Sequence, residues 1–230
     1  MNILRIKQSV LLMVCMAFSG CNSKTSVKTD SSTDIKSDIK DITNSRKADY
    51  PVSDFIIKRW SPRAMSGEAL SDTELFSLFE AARWAQSEYN NQPWIFIYAK
   101  RDTAQWEKLF NLLVDFNKQW AKNAAVLVVI ASRNTLDNGE PSISHSFDTG
   151  AAYQNLSLQA SQNGLVAHGM GGFDHDRAKK DLNIPDGYTV EAMCALGKPG
   201  KVEDLPEYMQ AKEKPSDRKK ITEFVREGSF

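Results

Sequence analysis

The sequence predicts an α+β domain in which helices outnumber strands. Two observations carry this. Apolar residues recur at helical spacing in several segments, as Leu75, Leu78, Phe79 and Ala82 do. Between them lie short runs rich in β-branched and aromatic residues: WIFIY at 94–98, AAVLVVIAS at 124–132 and VEAMCAL at 190–196. These have the length and composition of buried strands. Helical and strand patterns are mixed along the chain, and no internal repeat organises them.

The elements follow in order. VSDFIIKRW at 52–60 reads as a helix with Ser53 as its cap, and SPRAMSGEAL at 61–70 as a loop. Ser71 and Glu74 form a capping-box pattern that opens the next helix, which is expected to end near Gln86. The strand at 94–98 comes next. Trp106, Leu109, Phe110, Leu113 and Phe116 predict one helix, and 124–132 the following strand. NTLDNGEPSISHSF at 134–147 reads as a loop. A helix over 148–163 closes on Gly164 as its C′ glycine. LVAHGMGGFD at 165–174 is a strand running into a glycine pair, 177–182 a short helix, and 190–196 the last strand before a charged tail.

Composition narrows the function classes. Of the 230 residues 41% are hydrophobic, enough to bury a core. Lys+Arg and Asp+Glu are 29 each, so the chain has no net positive charge with which to neutralise phosphates. Nucleic acid is therefore not expected as a partner.

The N-terminus reads as a targeting signal. Arg5 and Lys7 form a positive region, VLLMVCMAF at 10–18 is apolar but too short to span a bilayer, and Ser19 and Gly20 precede Cys21. The alternative is a buried first strand; the order of charge, apolar run and small residues favours the signal. The Ser-Gly-Cys step resembles the lipobox of bacterial lipoproteins, with Phe18 departing from the usual Leu. This implies a signal peptide over 1–20 and a lipid anchor on Cys21, with the domain outside the cytoplasm in the cell envelope. Cys15 would leave with the signal and Cys21 would be lipidated, so Cys194 would be the only free thiol and no internal disulfide could form. Residues 22–49 are rich in Ser, Thr, Lys and Asp and read as a disordered tether, which puts the domain at 50–230.

Four features could carry chemistry. RWSPR at 59–63 offers two guanidiniums and a hydroxyl, a set suited to phosphate or a planar anion, although two solvated arginines would look the same. SEYNNQPW at 87–94 puts carboxamides at the threshold of a core strand, either as a turn or facing a bound molecule. GMGGFD at 169–174 lets backbone N–H groups approach a ligand, or is a tight turn; it is not the dinucleotide fingerprint. EKPSDRKK at 213–220 brings Arg218, as a phosphate contact or as solvated charge. His145, His168 and His175 have no metal-ligand spacing, and no G-x-S-x-G elbow occurs, so neither a metal site nor a serine nucleophile is expected.

Together these pieces resemble the nitroreductase family of FMN-dependent oxidoreductases. The order is what carries the likeness: Arg-x-Ser-x-Arg, then Asn-x-Gln-Pro-Trp, AAYQNLSLQASQNGL, Gly-Gly-Phe-Asp, ALGKPG and a late PSDRK, over roughly 55–230. The resemblance implies a nitroreductase-like FMN-binding fold, a central and mostly antiparallel sheet wrapped by helices, in a homodimer with flavin at the subunit interface. Arg59, Ser61 and Arg63 would hold the FMN phosphate and the polar edge of the flavin. Asn90 would bond the ring, with Asn91 and Gln92 serving the local backbone. The N–H groups of Gly171 and Gly172 would reach flavin N5 and O4, and Arg218 the phosphate. The Gly172 turn and the first arginine cluster would come from opposite subunits, as in many members.

Two departures stand out. Members often read Pro-Ser-Ser where this chain has QSEYN, and Glu88 is expected to face solvent. Some carry Glu where this chain has Gly171, which leaves only a backbone role there. The implied activity is hydride transfer from NAD(P)H through flavin N5 to a nitroaromatic, quinone or similar small-molecule acceptor, with no side-chain acid or base required. Reduced nicotinamides are cytoplasmic, which conflicts with an exported domain. Two other readings therefore stay open: a non-enzymatic envelope protein that binds flavin or another ligand, and a reductive dehalogenase-like activity on the same scaffold, with 134–147 as its lid.

Overall fold

The structure, a computed structural model, describes residues 46–230. The expected signal peptide, the Cys21 anchor and most of the expected tether lie outside the described residues.

A four-stranded sheet organises the domain: β1 (Trp94–Lys100), β2 (Val126–Arg133), β3 (Val166–Met170) and β4 (Tyr188–Gly197), in spatial order β1-β2-β4-β3 with every pair antiparallel. This is the expected nitroreductase-like α+β architecture. Seven of the eight β2 residues are buried, because this strand is central and covered on both faces. Its uninterrupted apolar run reflects that double burial.

Two cores lie on the two faces. On one, Leu75, Leu78 and Ala82 of α2 (Asp72–Arg83) and Ala152, Leu156 and Ala160 of α5 (His145–Gln162) pack on Val126, Val128, Ile130, Cys194 and Leu196. On the other, Trp106 and Leu109 of α3 (Trp106–Phe110), Trp120 of α4 (Asp115–Ala121), Ala178 of α6 (His175–Asp181) and Met209 of α7 (Glu207–Gln210) cover Leu127, Val129, Met193 and Ala195. Each fully buried Leu contributes about 1.5–3 kcal/mol relative to exposure.

The caps explain where the helices begin and end. Ser71 accepts from the Glu74 backbone while the Glu74 side chain accepts from the Ser71 N–H, which completes the predicted capping box. Asp174 caps α6 by accepting from the Arg177 N–H. At the end of α5, Gly164 takes φ +69°, with Leu165 N–H donating to Ala160 O and Gly164 N–H to Ser161 O. That is a full Schellman closure, and its αL residue is the expected C′ glycine. At α1 (Asp54–Lys58), Ser53 occupies the cap position but makes no side-chain bond.

Four expectations on extent are corrected. The predicted helix through 106–116 is two helices. Leu113 bridges to Phe173, Val114 N–H donates to Gly172 O and Asp174 N–H to Leu112 O, so the chain leaves helical geometry to pair with the segment after β3. Helix α2 stops at Arg83, where Trp84 turns back onto Ala81 and Ala82. Helix α5 begins at His145, inside the predicted loop. Helix α6 begins at His175, on the Asp174 cap.

A β-bulge lies between β2 and β4. Ile130 faces Ala192 and Ala131 faces Val190, so Glu191 is the extra residue and is turned toward Ser132. Among the described residues, no helix is long and apolar enough to cross a membrane.

Candidate functional site

The loop after α1 holds Arg59, Ser61 and Arg63. Arg59 is half-buried and donates from Nη1 to Ser61 Oγ at 3.2 Å. Burial pulls its pKa down, nearby Tyr153 pushes the other way, and Arg218 lowers it further. Among the described residues, Arg218 donates to Ser216 O, Ser216 Oγ and Asp217 O, at 3.0–3.1 Å. Among the described residues, neither Arg59 nor Arg218 forms an ion pair. Two guanidiniums that feel each other's charge and form no ion pair among the described residues, even with Asp217 next to Arg218, make a surface that favours an anion.

Arg46 joins them. It donates from Nε to Ser216 O at 2.8 Å and from Nη1 to Ile57 O and Arg59 O, each at 2.9 Å. Its pKa is lowered by burial and by the charges of Arg218 and Arg59, partly offset by Asp217. The sequence reading assigns Arg46 to the tether; the structure ties it to three backbone carbonyls of the domain. Beside the cluster is a cavity of about 650 Å³, lined by Arg46, Tyr50, Ile56, Asp217, Arg218 and Phe224 among others. Of the cluster, Arg46 and Arg218 line it; Arg59, Ser61, Asn90 and the glycine pair do not.

Arg63 is placed differently. Its guanidinium lies 3.8 Å from Glu213, and its backbone N–H donates to Glu213 Oε1 at 2.5 Å. Ala64 N–H donates to the same oxygen at 2.8 Å. The Glu213 side chain is 1% exposed, and its Oε2 has no hydrogen-bond partner.

From the other side, His168 of β3 donates from Nδ1 to Pro62 O at 2.9 Å, with its ring 4.5 Å from Trp120. Burial is the main reason its pKa falls to about 4, so the ring is neutral at neutral pH. The bond makes the arginine loop and β3 of one chain direct neighbours. Gly172 lies four residues further along, roughly 13 Å at strand rise.

Gly171 is exposed, and its N–H and that of Gly172 bond to no described residue. The Gly172 carbonyl is occupied by Val114 N–H at 3.1 Å and Asn117 Nδ2 at 3.0 Å. A Cβ at Gly172 would lie 2.8 Å from Asn117 Nδ2, so glycine is required for this close approach.

The carboxamide turn is fixed from below and open above. Asn91 is buried, donates to Thr135 O at 3.1 Å and accepts from Arg133 at 2.7 Å. Gln92 donates to Asn90 O, and its N–H bonds Ser87 Oγ. Gln92 serves its own turn as expected, whereas Asn91 does not: its side chain ties the turn to Arg133 and Thr135 at the end of β2. Tyr89, Asn90 and Gln92 all have positive φ, 46–57°, a strained run for residues with side chains. It displays Asn90 and the 86% exposed Tyr89.

Glu88 does not face solvent as expected. It accepts from Ser144 Oγ at 2.8 Å, while its N–H donates to Asp148 at 3.0 Å, fastening the turn to the start of α5. The Glu191 bulge builds a second polar group: Ser132 Oγ is 2.5 Å from Glu191 and 2.7 Å from His145 Nδ1, and Ser146 donates to Glu191 at 2.7 Å. Ser132 is fully buried, so it serves as a structural hydroxyl. Cys194 is buried as well, and burial pushes its thiol up to about 12.

Arg59 thus bonds Ser61 and feels the charge of Arg218, Arg63 is drawn to Glu213, and no hydrogen bond or ion pair joins Asn90 or the glycine pair to this cluster among the described residues. Arg46, Glu213 and His168 are additions that sequence reasoning did not supply.

The chain matches the nitroreductase family over residues 56–118 and 103–198, and it belongs to that family. A solved structure described as an oxidoreductase containing FMN is 42% identical, with a TM-score of 0.78, over 81% of this chain and 96% of that one. An Archaeoglobus fulgidus protein assigned as an NADH dehydrogenase/NAD(P)H nitroreductase is 29% identical over 66% of this chain and 87% of its own length. An uncharacterized 15.4 kDa protein of Mycolicibacterium smegmatis is 33% identical over 37% of this chain, a match spanning 56% of that relative.

Proposed function

We propose that this chain is an FMN-dependent oxidoreductase. The observation that carries the reading is the convergence of Arg59 and Arg218, neither with a carboxylate partner among the described residues, in a chain of the nitroreductase family. Two such guanidiniums suit the FMN phosphate, and Ser61 adds a hydroxyl. The solved relative that contains FMN supports the choice of flavin. When bound, FMN supplies the hydride chemistry between NAD(P)H and a nitroaromatic, quinone or similar acceptor.

The chain's own residues bind and orient. The N–H groups of Gly171 and Gly172 have no partner among the described residues, so they can donate to the polar rim of the ring and stabilise negative charge gathering there. Asn90 offers an exposed amide from a turn pinned by Asn91, Ser87 and Glu88. The His168–Pro62 bond supports assigning the arginine loop and the glycine pair to one chain, in place of the expected split between subunits. A second copy would then complete the site from outside; the exposed apolar residues of α1 support that role.

The test is flavin retention. Each charge-assisted hydrogen bond contributes about 1.5–3 kcal/mol, so changing both Arg59 and Arg218 to Ala is expected to weaken FMN binding on the order of 100-fold or more. Normal flavin content in the purified double variant would sink the assignment.

A further inference from the structure

The anion-binding loop is held in place by residues from both ends of the domain. From the N-terminal side, Arg46 forks onto the carbonyls of Ile57, Arg59 and Ser216. From the C-terminal side, Glu213 accepts both the Arg63 and the Ala64 N–H groups on one oxygen. Ser216 is three residues from Glu213 and two from Arg218. These bonds therefore join two segments far apart in sequence, 57–64 and 213–218, at the place where Arg59 and Arg218 converge.

Holding these cations together is unfavourable. The charges of Arg46, Arg59 and Arg218 act on one another, and burial adds to the cost. Without a brace, the exposed Arg218 segment would move away from Arg59 to relieve the repulsion. Backbone bonds at both ends oppose this. Glu213 is suited to the task because its carboxylate is almost wholly buried and aimed at the loop, where burial strengthens its bonds to N–H donors. Arg46 is suited because a planar fork reaches several carbonyls at once, which an ammonium cannot.

We propose that Arg46 and Glu213 are positioning residues that preorganise the phosphate-binding arginines and so give the protein its preference for a phosphorylated flavin. The inference rests on the FMN reading of this site. It also makes Arg46, in the polar segment before the domain, a functional part of it.

The test compares FMN with riboflavin, which carries the same ring without the phosphate. Full-length apoprotein is titrated with each by quenching of flavin fluorescence. Arg46→Ala and Glu213→Ala are expected to weaken FMN binding on the order of tenfold each while leaving riboflavin binding within about twofold. Riboflavin binding also reports that the variant has folded. Two conservative variants separate geometry from charge. Glu213→Gln keeps an acceptor oxygen and should retain most FMN affinity. Arg46→Lys keeps the charge but loses the fork and should behave like Arg46→Ala.

Equal losses for both flavins, or unchanged FMN affinity in both alanine variants, would overturn the inference and leave the FMN reading standing. A wild type with no preference for FMN over riboflavin would overturn the phosphate-site reading and this inference with it.

Discussion

His168 lies between Trp120 and the Pro62 carbonyl, and burial there favours its neutral ring. Its folded pKa of about 4 lies below the ordinary 6.5, first because of burial and then because Arg63 and Arg59 are close. The unfolded chain therefore binds the extra proton more readily between those values. The stability contributed is fully present above about pH 6.5, falls as pH drops and is lost below about pH 4, roughly 3 kcal/mol in all. Melting temperature measured from pH 7 to pH 4 should fall for the wild type and fall less for His168→Gln, which keeps a donor for Pro62. Parallel curves would contradict this account. His168 could not be found from the sequence, because its partners are a carbonyl and a ring more than forty residues away. The same holds for Glu213, which reads as one charge in a charged tail. Gln92 was legible because a carboxamide before a strand usually serves its own turn, but Asn91 was not, because its partners Arg133 and Thr135 are more than forty residues away. Glu88 was misread because its partner, Ser144, lies at the start of a helix hidden inside an apparent loop.

At the scale of the element, helix α1 has no buried residue although its sequence is Asp-Phe-Ile-Ile-Lys. Phe55 is 40% exposed and Ile56 46%, with Tyr50 and Val52 exposed nearby. A five-residue helix with an uncovered apolar surface is marginal alone, so a second copy is expected to cover it. Light scattering should show a dimer, and Phe55→Asp with Ile56→Asp should shift it to monomer. A wild-type monomer at micromolar concentration would rule this out. Elements with strong local signals were readable: the Ser71–Glu74 box, the Gly164 closure and the β2 run all depend on neighbouring residues. The break between α3 and α4 was not readable. Its periodicity continues through the break, and the cause is pairing with Gly172 and Phe173, which only the fold brings near. The Glu191 bulge is likewise a matter of register between two strands and leaves no local mark.

For the whole molecule, the two-faced sheet sets out the site. Strand β3, at one edge of the sheet, touches the arginine loop through His168 and ends at the glycine pair. The N- and C-terminal segments of the domain meet at Arg46 and Ser216, beside Arg218. The order of motifs along the chain made the family legible, because a shared order of loops and strands survives when each motif alone is ambiguous. It did not reveal how the two ends of the domain are fastened, since those bonds run to backbone atoms and leave no residue pattern. The central claim is that this assembly holds FMN and reduces it with a nicotinamide. The measurement that tests it most directly is the visible absorption spectrum of the purified full-length protein, before and after anaerobic addition of NADH or NADPH. The account predicts an oxidised-flavin spectrum that bleaches with one of the two. A chain that shows no flavin even after reconstitution with FMN, or a flavin that stays oxidised with both nucleotides, would contradict it.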